Sequence, residues 1–188
     1  VSSFAAVLLA GGASSRMGRP KALLDFEGQP LWRRQMATLQ ALAPAELFLS
    51  ATRELDFGTG PWTTLHDRAS GLGPLAGVEA ALRAMKVQRL VALAVDMPGV
   101  TSDFLRLLLR EAGDAGIVAE LEGFYQGTVA IYPRSILPRV ETILAGDDRS
   151  FQKLVGEAVA AGEMKVHRVT EAERSLFRNL NRPEDLAK

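Results

Sequence analysis

Cysteine is absent from the 188 residues, which excludes disulfides, thiolate nucleophiles and cysteine-ligated metal centres. Histidine is scarce as well. Only His66 and His167 occur, far apart in sequence, which argues against a histidine-rich metal site and leaves oxygen ligands for any metal. Neither sign of charge prevails, with 22 basic residues against 22 acidic, so no global field points to nucleic acid or a membrane surface. No apolar run approaches the roughly 20 residues that span a bilayer. The apolar stretch at residues 4–10 is too short for a signal peptide and lacks its basic flank. These absences set the expectation of a cytoplasmic monomer, one domain over residues 1–188, long enough to bury a substantial core.

What is present is concentrated near the start. Residues 4–9 form an apolar run that stops at Gly11-Gly12 and gives way to a polar loop carrying Arg16, Arg19 and Lys21. A short buried strand ending in glycines brings backbone N–H groups close to a phosphate, and the cations supply the charge a polyphosphate needs. The spacing fits neither a Walker A loop, because Arg19 follows Gly18, nor the dinucleotide fingerprint G-x-G-x-x-G. A plain tight turn is the alternative for the glycines alone. It explains neither the length nor the basic character of the loop.

Further along, short apolar segments alternate with stretches of helical period. Residues 4–9, 46–51 and 90–95 read as strands buried on both faces. One helix, opened by Pro30, places Leu31, Gln35, Leu39 and Leu42 on one face; a second begins at Pro74 and carries Leu75, Val78, Leu82 and Met85. A third starts near the cap Thr101-Ser102-Asp103. After Gly116 the pattern changes: residues 117–121 and 124–132 read as strands joined at Glu122-Gly123, a mixed or antiparallel addition. Helices around 135–144 and 150–160 and a strand at 165–169 complete the chain. The expected fold is α/β in three layers, a mostly parallel twisted sheet with helices on both faces and a small antiparallel addition.

Ligands of such sheets bind beyond the carboxyl ends of the strands, where Gly11-Gly12, Ser50, Asp67 and Asp96 all fall. Asp96 follows residues 90–95 and precedes Met97-Pro98, a natural position for a Mg²⁺ ligand or, alternatively, for the cap of a turn or of the next helix. Asp67 with Gly71 and Gly73 suits a base or ribose beside a helix N-terminus, or simply a glycine-rich cap. Asn179 and Asn181 would share one face of an extended segment, for a polar ligand or for capping. His66, His167, Trp32 and Trp62 show no partner pattern and read as packing or surface residues, and residues 147–149 as a solvated loop.

Taken in order, Leu9-Ala10-Gly11-Gly12-x-Ser14-x-Arg16-Met17-Gly18-x-x-Lys21, Asp67, Gly73-Pro74-Leu75-Ala76-Gly77, Asp96-Met97-Pro98 and Asn179-Leu180-Asn181-Arg182-Pro183-Glu184-Asp185-Leu186 resemble the molybdenum cofactor guanylyltransferases. The resemblance implies a Rossmann-like nucleotidyltransferase fold and transfer of GMP from GTP to molybdopterin. It implies that Leu9, Ala10, Gly11 and Gly12 hold GTP through the backbone, with Arg16 and Lys21 on its phosphates. Asp67 would contact the nucleoside, Asp96 would bind Mg²⁺, and Asn179 and Asn181 would face molybdopterin. Some relatives have Asn where this chain has Ser50, which donates and accepts with a shorter reach. Related cytidylyltransferases tend to carry Ala in place of Gly11, so the resemblance implies that the missing Cβ would make room for a purine. The competing readings are a cytidylyltransferase for the same pterin, a transferase for another phosphorylated acceptor, and a nucleotide-binding regulatory module without turnover.

Overall fold

The computed structural model describes residues 3–11, 20–52, 55–66 and 73–178. In chain order the strands are β1 (Ala5–Leu9), β2 (Asp25–Phe26), β3 (Gln29–Pro30), β4 (Glu46–Ala51), β5 (Thr63–His66), β6 (Arg89–Ala94), β7 (Gly116–Leu121), β8 (Phe124–Pro133) and β9 (Met164–Arg168). The helices are α1 (Leu31–Gln40), α2 (Pro74–Ala84), α3 (Ser102–Ala112), α4 (Leu137–Ala145) and α5 (Phe151–Ala160). Short 3-10 turns lie at Lys21–Leu23, Arg134–Ile136 and Glu171–Phe177.

Seven strands make one sheet in the order β5-β4-β1-β6-β8-β7-β9. β8 alone runs against its neighbours, antiparallel to both β6 and β7, while the β5-β4-β1-β6 half and the β7–β9 pair are parallel. The antiparallel addition is therefore a single strand inserted within the sheet. A separate two-stranded ribbon, β2–β3, was not expected; it turns at Glu27 and Gly28, both at positive φ (54° and 83°), with Asp25 Oδ1 accepting from the Gly28 amide.

Alternation along the buried strands feeds two cores. Ala6 and Leu8 of β1 face α1 and α3, joining Leu31, Met36, Leu39, Phe104, Leu105 and Leu108. Ala5, Val7 and Leu9 face the opposite side, with Leu75, Val78 and Leu82 of α2, Val140 and Ile143 of α4, and Leu154 and Val155 of α5. Helices thus cover both faces, as a parallel sheet requires. The helix starts follow local rules: Pro74 opens α2, Thr101 Oγ1 accepts from the Phe104 amide, and Ser150 Oγ accepts from the Lys153 amide. Among the described residues no helix is long and apolar enough to cross a membrane.

One irregularity interrupts the sheet. The β7–β8 register shifts between Val118 and Glu120, whose partners on β8 are Ala130 and Tyr125. Residues 126–129 thus bulge out of the β7 ladder, and the hydroxyl of fully buried Tyr132 donates to the Gly127 carbonyl at 2.6 Å to hold the bulge.

Candidate active site

The carboxyl ends of β4, β1 and β6 meet in register, with Leu9 opposite Ser50 on one side and Ala94 on the other. The ladder continues one step beyond β1: the Ala10 amide donates to the Ser50 carbonyl at 2.8 Å, and the Val95 amide donates to the Leu9 carbonyl at 3.1 Å. The Ala10 carbonyl and the Gly11 amide are the first backbone groups beyond that ladder. Ser50 is buried beneath this edge, and α2 approaches it closely at Gly77. A Cβ on Gly77 would overlap Ser50 Oγ and come within 2.8 Å of Leu9 Cδ2.

Lys21, at the start of the first 3-10 turn, reaches across to β6. Its Nζ donates to Asp96 Oδ2 at 2.9 Å, and the two side chains remain 24% and 22% exposed. Asp96 does not serve as the cap of α3, since Thr101 does that. A basic and an acidic side chain therefore converge at the edge where β1 ends in Ala10-Gly11.

The chain returns to this edge near its end. The 3-10 segment Glu171–Phe177 rests on Gly99, where a Cβ would meet the Leu176 carbonyl at 2.8 Å and the Ser175 carbonyl at 3.0 Å. Phe177 meets Phe104 edge-on at 5.4 Å. His167 fastens the segment: its Nδ1 lies 2.7 Å from Glu111 Oε2 on α3 and its Nε2 3.2 Å from Glu173 Oε2. Burial alone would lower the pKa of His167, but hydrogen bonds to Glu111 and Glu173 and their charges outweigh it and raise the pKa above 6.5. Burial pushes Glu173 upward, yet the Thr170 amide and hydroxyl, then His167, hold it below 4.5. His167 thus joins a partner 56 positions away on α3 to one 6 positions further along the chain, a combination no sequence spacing announces. Trp32 packs edge-on against Phe57 and Trp62, in keeping with a packing role.

Residues 6–162 match the family model of the MobA-like NTP transferase domain. The chain belongs to that family. A molybdenum cofactor guanylyltransferase of Rhodobacter capsulatus is 36% identical over 192 residues, covering 98% of this chain and 93% of the relative. One of Pseudomonas putida is 35% identical over 190 residues, covering 96% and 94%. The fold is shared with the crystal structure of molybdopterin-guanine dinucleotide biosynthesis protein A from Archaeoglobus fulgidus (TM-score 0.77, 23% identity, 98% and 95% covered).

Of the residues expected at the site of this MobA-like chain, Leu9, Ala10, Gly11, Lys21, Ser50 and Asp96 are described, and they gather at the carboxyl ends of β4, β1 and β6. Gly12, Arg16, Asp67, Asn179 and Asn181 lie outside the described residues. The donor set fits Mg²⁺. Asp96 offers a hard oxygen at an open edge, and Mg²⁺ is commonly held by one or two carboxylates together with substrate phosphates and waters.

Proposed function

We propose that this chain transfers GMP from GTP to the terminal phosphate of molybdopterin, releasing pyrophosphate. The observation that carries the reading is the Lys21–Asp96 pair at the carboxyl edge beside Ala10-Gly11, in a chain about 35% identical to molybdenum cofactor guanylyltransferases over nearly its full length. A phosphate oxygen of molybdopterin attacks the α-phosphorus of GTP, the bond to the β-phosphate bridging oxygen breaks, and pyrophosphate leaves with that electron pair. The attacking phosphate is already ionised near neutral pH, so no side-chain base is needed. The obstacle is the approach of two anions. Lys21 and Arg16 answer it by carrying positive charge to the phosphates, while backbone groups from Ala10 onward orient the nucleotide. When held by Asp96, Mg²⁺ supplies charge neutralisation and polarisation of a phosphoryl oxygen.

In the same reading Ser50 and Asp67 contact the nucleoside, and Asn179 and Asn181 face the pterin. The enzyme acts as a cytoplasmic monomer without a nucleic-acid or membrane partner. Pyrophosphate release with Mg²⁺, molybdopterin and each of GTP, CTP, ATP and UTP tests it. Release with GTP alone, dependent on molybdopterin, is expected. Preference for CTP would keep the reaction class and overturn the base assignment. Silence with all four despite nucleotide binding would shift the reading to another acceptor or to a binding module. Gly11→Ala should raise the CTP-to-GTP turnover ratio, and an unchanged ratio would remove Gly11 from base selection.

A further inference from the structure

Gln35 is the one polar residue on the apolar face of α1, and it is fully buried. Its Nε2 donates both protons, one to the Ala94 carbonyl at 3.2 Å and one to the Met97 carbonyl at 2.8 Å. Those carbonyls lie on either side of Val95-Asp96, where β6 has ended and the chain turns toward Pro98. The Met97 carbonyl also accepts from the Val100 amide at 3.1 Å, so the turn is fixed from both directions. Next along the helix, Arg34 Nε donates to the Pro98 carbonyl at 3.4 Å while its Nη1 pairs with Glu27 Oε2 at 2.6 Å and its guanidinium lies over Phe26. One helix therefore grips the Asp96 turn and, through Arg34, the β2–β3 ribbon that follows Lys21.

Gln35 Oε1 is buried without a hydrogen-bond partner among the described residues. A buried acceptor left unpaired is a standing cost, and an apolar residue of similar volume would avoid it. Against that cost the amide brings two donors to the turn.

We propose that Gln35 is a positioning residue: by stapling the Ala94 and Met97 carbonyls it holds the Asp96 carboxylate at the place where phosphates and metal are bound, a role that rests on the guanylyltransferase reading above. A buried primary amide suits this task because its two N–H groups diverge at a fixed angle and bridge two carbonyls of one turn. An apolar core residue would fill the same space and leave both carbonyls without that donor.

Gln35→Met keeps length and helix propensity and removes both donors. Hydrogen exchange reads the clamp without reference to activity: protection of the Val95 and Val100 amides should fall about tenfold or more, with the rest of the sheet unchanged. With GTP, Mg²⁺ and molybdopterin, kcat should fall about tenfold or more while KM for GTP stays within about twofold. On an Asp96→Asn background the same substitution should cost no further activity. Leu39→Ala, buried one turn along α1, is the control that lowers Tm without either effect. Should Gln35→Met not fold, Gln35→Glu takes its place. Its carboxyl donates only while protonated, so protection at Val95 and Val100 should decline with rising pH in the variant and hold in the wild type. Unchanged protection would overturn the clamp. Reduced protection with an unchanged kcat would overturn the positioning of Asp96. A wild type silent with every nucleotide would instead overturn the guanylyltransferase reading, and exchange alone would then decide the clamp.

Discussion

Lys21 Nζ donates to Asp96 Oδ2 at 2.9 Å although 75 positions separate the two residues in sequence. The contact joins the turn after the glycine loop to the exit of β6, and both side chains keep enough exposure for a ligand to reach them. A cation and an anion already gathered at one point spare a charged substrate most of the reorganisation that free side chains would require.

Replacing either member should therefore cost catalysis far more than stability. Lys21→Met and Asp96→Asn are each expected to lower kcat/KM by about 10²–10³-fold. The accompanying loss of stability should be about 1–2 kcal/mol, as for a partly exposed ion pair. Pyrophosphate release and thermal denaturation measure the two quantities, and a folded variant with a wild-type rate would strike that residue from the mechanism.

Gly77 permits the close approach of α2 to the strand ends, since a Cβ there would overlap Ser50 Oγ and crowd Leu9. Gly77→Ala should destabilise the protein by about 1–2 kcal/mol, the crowding exceeding the gain in helix propensity. Adding Ser50→Ala removes the overlapping oxygen and should recover part of the loss. Denaturant midpoints of the single and double variants would show it; additive losses would mean that the two positions do not conflict.

The His167 junction should make stability depend on pH in two directions. The raised His167 pKa contributes stability that is complete below pH 6.5 and is lost as pH rises through the folded-state value. The depressed Glu173 pKa contributes stability present above pH 4.5 and lost as pH falls through its folded-state value. The Tm difference between wild type and His167→Gln should thus be largest between those limits and shrink toward pH 9. A difference independent of pH would contradict the charged junction.

Tyr132 is the structural pin of the β8 bulge. Tyr132→Phe leaves the buried Gly127 carbonyl without that donor and should cost about 1–3 kcal/mol. Burial pushes the Tyr132 hydroxyl well above the ordinary value of 10.0. Of the two tyrosines, it should stay protonated in alkaline absorbance titrations until the protein unfolds. Two phenolate equivalents from folded protein would refute this.

The sequence carried the elements whose signals are local. β1, β4 and β6 were legible because strands buried on both faces are continuous apolar runs, and α2 and α3 because Pro74 and Thr101 mark their starts. The β2–β3 ribbon escaped because strands of two residues have no period, although the Gly28 turn with Asp25 behind it was a usable cue. Lys21 and Asp96 were each recognisable, but their meeting depends on how the chain folds back between them. Gln35 was visible as a lone amide on an apolar helix face; its purpose emerged only with the two carbonyls it reaches. The partners of His167 come from α3 and from the 3-10 segment, 56 and 6 positions away, a combination no spacing rule encodes.

The reversed strand between β6 and β7 has a consequence for how the chain is made. The four strands of the β5-β4-β1-β6 half have all been synthesised once Ala94 is added, yet the outer flank of β6 stays bare until Val129–Pro133 arrives to zip along it. That flank is a strand buried along its whole length in the finished protein. A nascent chain stalled before β8 would offer an adhesive, unguarded edge to any neighbour. The second half of the molecule thus acts as the seal on the first.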